Sequence, residues 1–300
     1  MSKRNLTLSI SRELQAARFS HFGQSKSHIC LLRDVQNKPF VKKLAGGTTS
    51  ERFQRQVDKH RTALSKNFMQ PIEVPKIIDI DQGNSYSMEF VSGEMVGEFL
   101  QNCDSEDLIK VADKLTAYLV SNYQNSIRNS IIPANEFTDI FMEKLIRCIG
   151  SLNGNWLAIK LINFQTQLLK CFKDLEYRQG WNHGDFSFEN ILVTSNQNVF
   201  VLDFLDSPIE LPQIDWGRFW LDLKYGWWAQ DRFKTANADL NLKKMENLLV
   251  KSANDLSLSK RELDKFALLA ALRILPYTKK PSRKGHLSFA TSEILDNLFL

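Results

Sequence analysis

The sequence predicts an α+β protein in two parts: a small antiparallel sheet that carries one helix, and a larger, mainly helical region. In the first ninety or so residues, short apolar runs alternate with Gly, Ser and Asn, the pattern of antiparallel hairpins. Beyond "SGE" (residues 92–94), apolar residues recur at helical spacing. Two strand-like runs, "NILV" and "VFVLDF", interrupt this helical pattern around the turn "SNQN".

The N-terminal sheet is predicted from five short runs. Three of them, "ARFSHF", "HICLLRDV" and "PFVKKLA", precede a helix in "TTSERFQRQVDKHRTAL". Thr48 and Glu51 have the spacing of a capping box, and Phe53, Val57 and Leu64 continue an apolar side. The last two runs, "VPKIIDI" and "SYSMEFV", are joined by the turn "DQGN".

The helical region begins with a helix that Asp104 is expected to cap. "NEFTDIFMEKLIRCI" predicts a second helix, and apolar residues at helical spacing from Leu157 to Phe172 predict one long helix after it. The chain again has a helical pattern from Leu211 onward. The change of character at Val91–Glu94 predicts a hinge between the two parts.

Composition and charge narrow the class of protein. Of the 300 residues, 43% are hydrophobic and 24% charged, which is typical of globular chains. The net charge of +5 suits an anionic ligand such as a nucleotide but does not indicate a nucleic-acid partner. The four cysteines show no metal-binding spacing and are expected to be reduced and mostly buried.

No integral membrane segment is predicted. The N-terminus lacks the apolar core of a secretory signal, and the apolar run "FALLAALRIL" is too short to span a bilayer and contains Arg273. A cytoplasmic location is therefore expected. The sequence makes no prediction of the oligomeric state.

Three oxygen-bearing side chains stand out in "WNHGDFSFENILVTSNQNVFVLDFLD", namely Asp185, Asn190 and Asp203. A hairpin of the two strand-like runs would bring Asn190 and Asp203 together at one end, with Asp185 in the loop before it. Amide and carboxylate oxygens suit Mg²⁺, and a neighbouring carboxylate can accept a proton from an attacking hydroxyl. These are the roles that phosphoryl transfer requires.

The segments "HGDFSFEN" and "VLDF" resemble the catalytic and metal-binding segments of the protein-kinase-like fold. The resemblance is greatest to its small-molecule branch: aminoglycoside phosphotransferases, choline and ethanolamine kinases, and related sugar kinases. It implies a two-lobed fold, with a nucleotide-binding lobe at 1–91 and a catalytic and acceptor-binding lobe at 92–300. It also implies ATP and Mg²⁺ as cofactors, Asp185 as catalytic base, and Asn190 and Asp203 as metal ligands.

Two positions separate this sequence from protein kinases. Protein kinases commonly carry arginine at the position of Gly184, and those that act on Ser or Thr carry lysine at the position of Ser187. Both departures favour a small alcohol acceptor. Asp206 offers either a further carboxylate near the metals or a cap for the following turn, and the sequence favours the cap.

The resemblance implies a phosphate-binding lysine in "PFVKKL". Lys42 and Lys43 lie on opposite faces of a strand. The first lysine is the functional one in similar strands, so Lys42 is predicted to bind the phosphates and Lys43 to be solvated. The glutamate that should pair with this lysine aligns with Gln56, and Glu51 and Asp58 are the nearby acids.

The nucleotide site is less marked in sequence. "FGQSKSH" fits a loop in which Gly23, Ser25 and Ser27 cover the phosphates, although an ordinary hairpin turn explains it equally well. "MEFVSGE" resembles the hinge between lobes, where backbone groups of Glu89 and Val91 would bind the adenine ring.

Other conspicuous side chains have plainer explanations. His183 is expected to hold its loop by hydrogen bonds. Trp216 and Trp220 are expected in the core, whereas Trp227 and Trp228 are candidates for a substrate wall. The basic run "KKPSRKGH" is expected to be a solvated loop, with attraction of an anionic acceptor or a membrane surface as the alternative.

The resemblance covers the chain to about Asp215. Asp215 resembles an aspartate that stabilises the catalytic loop in aminoglycoside-phosphotransferase relatives, and a helix cap explains it equally well.

The sequence therefore predicts ATP- and Mg²⁺-dependent phosphorylation of a hydroxyl on a small molecule such as a sugar, an amino alcohol or an aminoglycoside. The competing interpretation is a nucleotide-binding regulator or pseudokinase. The missing glutamate and the sparse glycine loop favour this alternative, and the complete set of Asp185, Asn190 and Asp203 opposes it. A protein kinase is less favoured because of Gly184 and Ser187.

Overall fold

The computed structural model describes residues 28–46, 49–66, 69–81, 84–128, 134–173, 178–207, 209–229 and 235–299. The predicted strand "ARFSHF" and the loop with Gly23, Ser25 and Ser27 lie outside these ranges. The N-terminal elements are β1 (His28–Arg33), β2 (Pro39–Leu44), α1 (Ser50–Ser65), β3 (Ile77–Asp81) and β4 (Ser85–Glu89).

The four strands form an antiparallel sheet in the order β1-β2-β4-β3. The helix α1 packs on this sheet through a small apolar cluster of Phe53, Val57, Tyr86 and Met88. Its N-cap is Thr49, whose side chain accepts a hydrogen bond from the Arg52 N–H. The helix therefore begins one residue later than the predicted capping box with Thr48.

The helical region contains nine described α-helices. They are α2 (Val96–Asn102), α3 (Ser105–Gln124), α4 (Ala134–Ser151), α5 (Trp156–Asn163), α6 (Gln165–Lys173), α7 (Pro212–Tyr225), α8 (Ala236–Asp255), α9 (Lys260–Ile274) and α10 (Pro281–Phe299). Asp104 caps α3 as predicted, because its carboxylate accepts hydrogen bonds from the N–H groups of Glu106 and Asp107. The predicted single long helix is wrong, because the chain breaks at Phe164 between α5 and α6.

Two small sheets lie within this region. The first pairs β5 (Glu94–Met95), β8 (Ile191–Val193) and β9 (Val199–Val201) in the order β5-β8-β9. The second pairs β6 (Ile127–Arg128) with β7 (Arg178–Gln179). The hairpin predicted for "NILV" and "VFVLDF" is confirmed by the antiparallel pairing of β8 with β9.

The helix α7 is the most completely enclosed element. Twelve of its 14 residues are buried, including Trp216 and Trp220, which confirms their predicted core packing. It packs on α9 at close range: a Cβ on Gly217 would lie 2.3 Å from the Cβ of Phe266. Only glycine permits this approach. The buried charged residues of α7 therefore need partners within the protein.

Among the described residues, no helix is long and apolar enough to cross a bilayer. All four cysteines are free, and Cys103 and Cys148 are buried. Burial raises the pKa of Cys103 to about 11 and that of Cys148 to about 12.

The boundary between the two lobes, predicted between residues 91 and 92, stays a prediction. Met69 and Ile72 precede this boundary in sequence but belong to the large apolar cluster of the helical region.

Candidate active site

The loop from His183 to Asn190 is held in place by Asp215 of α7. The backbone N–H groups of His183 and Gly184 donate to its two carboxylate oxygens at 2.7 and 3.1 Å, and the Tyr118 hydroxyl donates at 2.9 Å. Burial raises the pKa of Asp215 to about 6, although these hydrogen bonds oppose the shift. The N-cap of α7 is Leu211, so Asp215 binds the loop and does not cap the helix.

His183 joins this loop to the segment that carries Asp203. Its Nδ1 accepts a hydrogen bond from the Asp185 N–H at 3.2 Å, so Nε2 carries the proton and donates to the Leu202 carbonyl at 2.8 Å. Burial lowers the pKa of His183 to about 4, which keeps the ring neutral at pH 7. His183 therefore holds the loop by hydrogen bonds, as predicted.

Gly184 has a steric reason to be glycine. Its φ is +88°, and a Cβ at this position would lie 2.5 Å from the carbonyl oxygen of Leu205. Any side chain would therefore be strained by the backbone conformation and would collide with the neighbouring segment. The absence of arginine here, first interpreted as a sign of a small acceptor, follows from the local geometry alone.

Asp185 is held on both of its carboxylate oxygens. Oδ1 accepts from Arg218 Nε at 2.7 Å and lies 3.4 Å from Arg273 Nη2. Oδ2 accepts from Asn190 Nδ2 at 3.1 Å, and the same amide donates to the Asp185 carbonyl at 2.9 Å. Burial favours the neutral acid, but Arg218 and Arg273 together hold the pKa of Asp185 below its ordinary value. Asp185 is therefore ionised at neutral pH.

The helix α7 contacts the loop at three points along one face. Besides Asp215, it supplies Arg218 to Asp185, and it supplies Asp222, which accepts from the Phe188 N–H at 2.9 Å. Arg218 Nη1 lies 3.0 Å from Asp222 Oδ2, and both side chains are buried. The intervals of three and four residues place all three on the same side of the helix. Charged residues at these intervals in an otherwise apolar helix were the available sequence signal.

The lysine of the site is Lys43 and not the predicted Lys42. Lys43 is only 3% exposed, its ammonium is paired with the Asp203 carboxylate, and the Gln56 side-chain oxygen is 3.5 Å away. Lys42 is half-buried on the opposite face of β2. Val41 gives the physical reason, because it shares the face of Lys43 and packs on the apolar cluster beneath α1. The prediction that Lys43 is solvated is wrong.

Gln56 occupies the position at which the resemblance expects a glutamate. It is 6% exposed and faces Lys43. Asp58 instead contacts Gln54 and Arg61 at the surface, and Glu51 is exposed in the first turn of α1. Within the described residues, the carboxylate partner of Lys43 is Asp203.

The segment that follows Asp203 binds to α1. Asp206 accepts from Arg55 Nε at 2.9 Å, and Glu210 accepts from Lys59 Nζ at 2.9 Å. The carboxylate of Asp206 is thus used in an ion pair with α1, which neither of its two sequence interpretations included.

Asn190 directly precedes β8 and Asp203 follows β9, so both lie at the same end of the hairpin. The Leu202 N–H donates to the Asn190 carbonyl at 2.8 Å, which sets the two positions side by side. Asn190 turns its amide nitrogen to Asp185, so its oxygen points the other way. Mg²⁺ uses one or two such oxygen ligands and completes its shell with phosphates and water. Among the described residues, no cluster of three His, Cys, Asp or Glu side chains could hold a metal ion by itself. Asn190 and Asp203 instead fit an Mg²⁺ ion that is also bound by a nucleotide.

Glu89 and Val91 lie in the segment predicted to be the hinge between the lobes. The Glu89 N–H donates to the Lys76 carbonyl at 2.9 Å, and the Glu89 side chain accepts from the Lys76 N–H at 3.0 Å. The N–H of Glu89 is therefore engaged within the sheet. Val91 lies in the extended segment between β4 and β5. The adenine-binding role of both residues stays a prediction, as does the phosphate-binding role of Gly23, Ser25 and Ser27.

The substrate wall predicted at Trp227 and Trp228 is wrong. The two side chains are 2% and 1% exposed. The Trp228 ring packs over Gly97, where a Cβ would come within 2.3 Å of it. The Arg283 guanidinium lies 5.1 Å from the centre of the Trp227 ring. These contacts use the aromatic faces within the protein.

The basic run "KKPSRKGH" is not the predicted solvated loop, because α10 begins within it at Pro281. Arg283 is buried and donates to the Glu189 carboxylate at 2.6 Å. It therefore contributes to the support of the loop that carries Asn190.

No protein-family model matches the chain, and no curated protein matches its sequence. Solved structures do match its fold over nearly the whole length. A thermostable mutant of aminoglycoside phosphotransferase APH(4)-Ia, in a ternary complex with ADP and hygromycin B, has a TM-score of 0.67 at 12% identity, covering 98% of this chain and 97% of that one. The streptomycin–ATP complex of APH(2'')-IIa has a TM-score of 0.59 at 14% identity, covering 99% and 97%.

Ethanolamine kinase from Plasmodium vivax is also similar, with a TM-score of 0.57 at 13% identity, covering 96% of this chain and 84% of that one. At sequence identities this low, the structural similarity establishes the fold and not the activity. The chain has the two-lobed protein-kinase-like fold found in these small-molecule kinases, which confirms the fold class predicted from the sequence.

Proposed function

We propose that the protein transfers a phosphoryl group from ATP, with Mg²⁺, to a hydroxyl group of a small molecule. The observation that carries this proposal is that Asp185 and Asn190 of one loop contact each other, while Asp203 after the hairpin is paired with Lys43 of β2. The ATP and ADP complexes named for structures of the same fold support the choice of donor. The cytoplasmic location predicted from the sequence is part of the proposal.

Asp185 orients the acceptor hydroxyl and takes its proton. Arg218 and Arg273 keep its carboxylate ionised, so it is ready to accept a hydrogen bond from the hydroxyl. A carboxylate with a lowered pKa is a weak base. This suits phosphoryl transfer, because its loose transition state needs positioning more than early removal of the proton.

The remaining residues bind the triphosphate. Lys43 binds phosphate oxygens, and Asn190 and Asp203 hold Mg²⁺, which would neutralise the charge of the transferred group. Gln56 is uncharged, so it does not compete with phosphate for the Lys43 ammonium. The contacts of Asp215, His183 and Asp222 fix the loop and reduce the ordering that binding requires.

Replacement of the base tests this function. For Asp185→Asn we expect MgATP affinity within about threefold of the parent and single-turnover transfer lower by about 10²–10⁴-fold, the usual contribution of a general base. Asp58→Asn, an exposed change on α1, is the control and should retain both properties. Undiminished transfer by Asp185→Asn would refute the assignment.

The second candidate is a nucleotide-binding regulator without transfer activity, which Gln56 favours because it replaces an expected carboxylate. The two are separated by MgATP binding followed by transfer assays over sugars, amino alcohols and aminoglycosides. Binding without transfer to any acceptor would support the regulator.

A further inference from the structure

We propose that the acceptor carries an acidic group, a carboxylate or a phosphate ester, and that Arg273 binds this group. This inference rests on the phosphotransferase function proposed above and names its substrate class. It selects against the amino alcohols and aminoglycosides that the fold alone would suggest.

Arg273 has unused hydrogen-bonding capacity beside the catalytic carboxylate. It lies at the C-terminal end of α9, and its side chain is 26% exposed. Its one polar contact within the described part of the chain is the 3.4 Å approach of Nη2 to Asp185 Oδ1. A guanidinium has five N–H donors in a planar fork that matches carboxylate and phosphate oxygens. Within the described residues, most of these donors have no partner and could bind a ligand.

Arg273 makes the weaker contact of the two arginines that approach Asp185. Arg218 Nε binds Asp185 Oδ1 at 2.7 Å, and its side chain is 3% exposed. Arg218 also forms an ion pair with Asp222. The charge of Arg273 helps to keep Asp185 ionised, but its guanidinium makes only one long contact, at 3.4 Å, with the carboxylate. Its removal from water is costly unless it has a full partner. An acidic ligand would be that partner.

Arg273 and Asn190 contact different oxygens of the Asp185 carboxylate. Arg273 approaches Oδ1, whereas Asn190, the proposed metal ligand, binds Oδ2. Arg273 thus contacts the oxygen that the proposed metal ligand leaves free. In this proposal, the group that Arg273 binds belongs to the molecule whose hydroxyl approaches Asp185.

The charges around Arg273 favour an anion. Burial lowers the pKa of Arg273, and the positive charges of Arg218 and Arg52 lower it further, while Asp185 and Asp215 oppose them. The two carboxylates offset part of the positive charge, and an anion at the exposed part of the guanidinium would be attracted by Arg273 together with Arg218 and Arg52.

Binding of matched compounds tests the inference without requiring turnover. The protein, saturated with Mg²⁺ and a non-hydrolysable ATP analogue, is titrated calorimetrically with glycerate against glycerol, and with glucuronate against glucose. Inorganic phosphate and ethanolamine complete the set. We expect the acidic member of a pair to bind at least about tenfold more tightly, the value of one charge-assisted hydrogen bond.

Variants assign this preference to Arg273. For Arg273→Gln we expect loss of the preference for acids, with affinity for the ATP analogue within about threefold of the parent. Arg273→Lys should keep part of the preference, because lysine supplies the charge without the planar set of guanidinium donors. Arg261→Gln is the matched control, because Arg261 lies on the same helix and donates to the Leu298 carbonyl instead. It should keep the full preference.

The outcomes separate this inference from the phosphotransferase function. Tighter binding of neutral compounds or ethanolamine, or failure of every acid and of phosphate to bind, overturns it. So does loss of ATP-analogue affinity in Arg273→Gln with the acid preference intact. Each bound compound is then assayed for transfer. Acid binding through Arg273 without transfer refutes the phosphotransferase alone, and equal transfer to neutral partners refutes the acidic acceptor alone.

Discussion

The Lys43 ammonium forms an ion pair with the Asp203 carboxylate, although the two residues are 160 positions apart. The pair joins β2 to the segment after β9. Gln56, the neighbour on α1, is uncharged, so within the described residues Asp203 balances the buried charge of Lys43. Lys43 and Asp203 are thus adjacent at the proposed site of phosphate and metal binding.

Replacement of each lysine in turn tests which one binds the nucleotide. Lys43→Met should weaken MgATP binding at least about tenfold, because a charge-assisted contact to phosphate is lost. Lys42→Met should stay within about twofold, since Lys42 lies on the other face of β2. Isothermal titration calorimetry measures both. A larger loss in Lys42→Met would contradict the assignment.

Gly184→Ala should destabilise the protein and reduce transfer. The positive φ costs about 1–2 kcal/mol for an L-residue, and the contact with the Leu205 carbonyl adds to it. The control is Gly150→Ala in α4, where a Cβ meets nothing within 4 Å and alanine should stabilise by up to about 1 kcal/mol. Urea unfolding gives both values. Equal stability changes would show that Gly184 is not sterically required.

The buried and exposed arginine–aspartate pairs should differ in their effect on stability. Arg218→Gln leaves Asp222 buried without its cation and should cost about 3–5 kcal/mol. Arg55→Gln breaks an exposed pair of similar length with Asp206 and should cost about 1 kcal/mol or less. Chemical denaturation at pH 7 measures both variants, and similar losses would contradict the difference in burial.

Asp215 should make stability depend on pH between about 4 and 6. Its pKa in the folded state is raised from 3.8 to about 6, so the folded protein binds more protons than the unfolded chain in this range. The contribution of Asp215 to stability is therefore fully present below about pH 4 and is lost as pH rises through 6. The difference in unfolding free energy between the parent and Asp215→Asn should change by about 3 kcal/mol over this range. Asp58→Asn is the control, and a constant difference for Asp215→Asn would contradict the raised pKa.

Local patterns predicted those parts of the molecule that depend on neighbours in sequence. The two strand-like runs on either side of the turn "SNQN" predicted the β8–β9 hairpin, and Asp104 predicted the start of α3. The resemblance aligned Gln56 with the glutamate expected beside Lys42, and the structure places Gln56 beside Lys43 instead. The break at Phe164 was missed, since apolar spacing continues through it.

The partners of Asp185 were not predictable in this way. Arg218 and Arg273 are 33 and 88 positions away and reach the same carboxylate oxygen from two different helices. The choice between Lys42 and Lys43 failed for a related reason: alternation separates two faces but does not say which of them meets α1.

By itself, the sequence determined the chemistry of the loop and hairpin: a carboxylate, an amide and a second carboxylate at fixed intervals, on local elements that form by short-range pairing. Only the tertiary structure decided that two arginines hold Asp185, that Lys43 meets Asp203 and that Trp227 and Trp228 are enclosed. Those contacts depend on how distant helices pack, and the periodicity of a segment specifies its buried face without specifying what covers it.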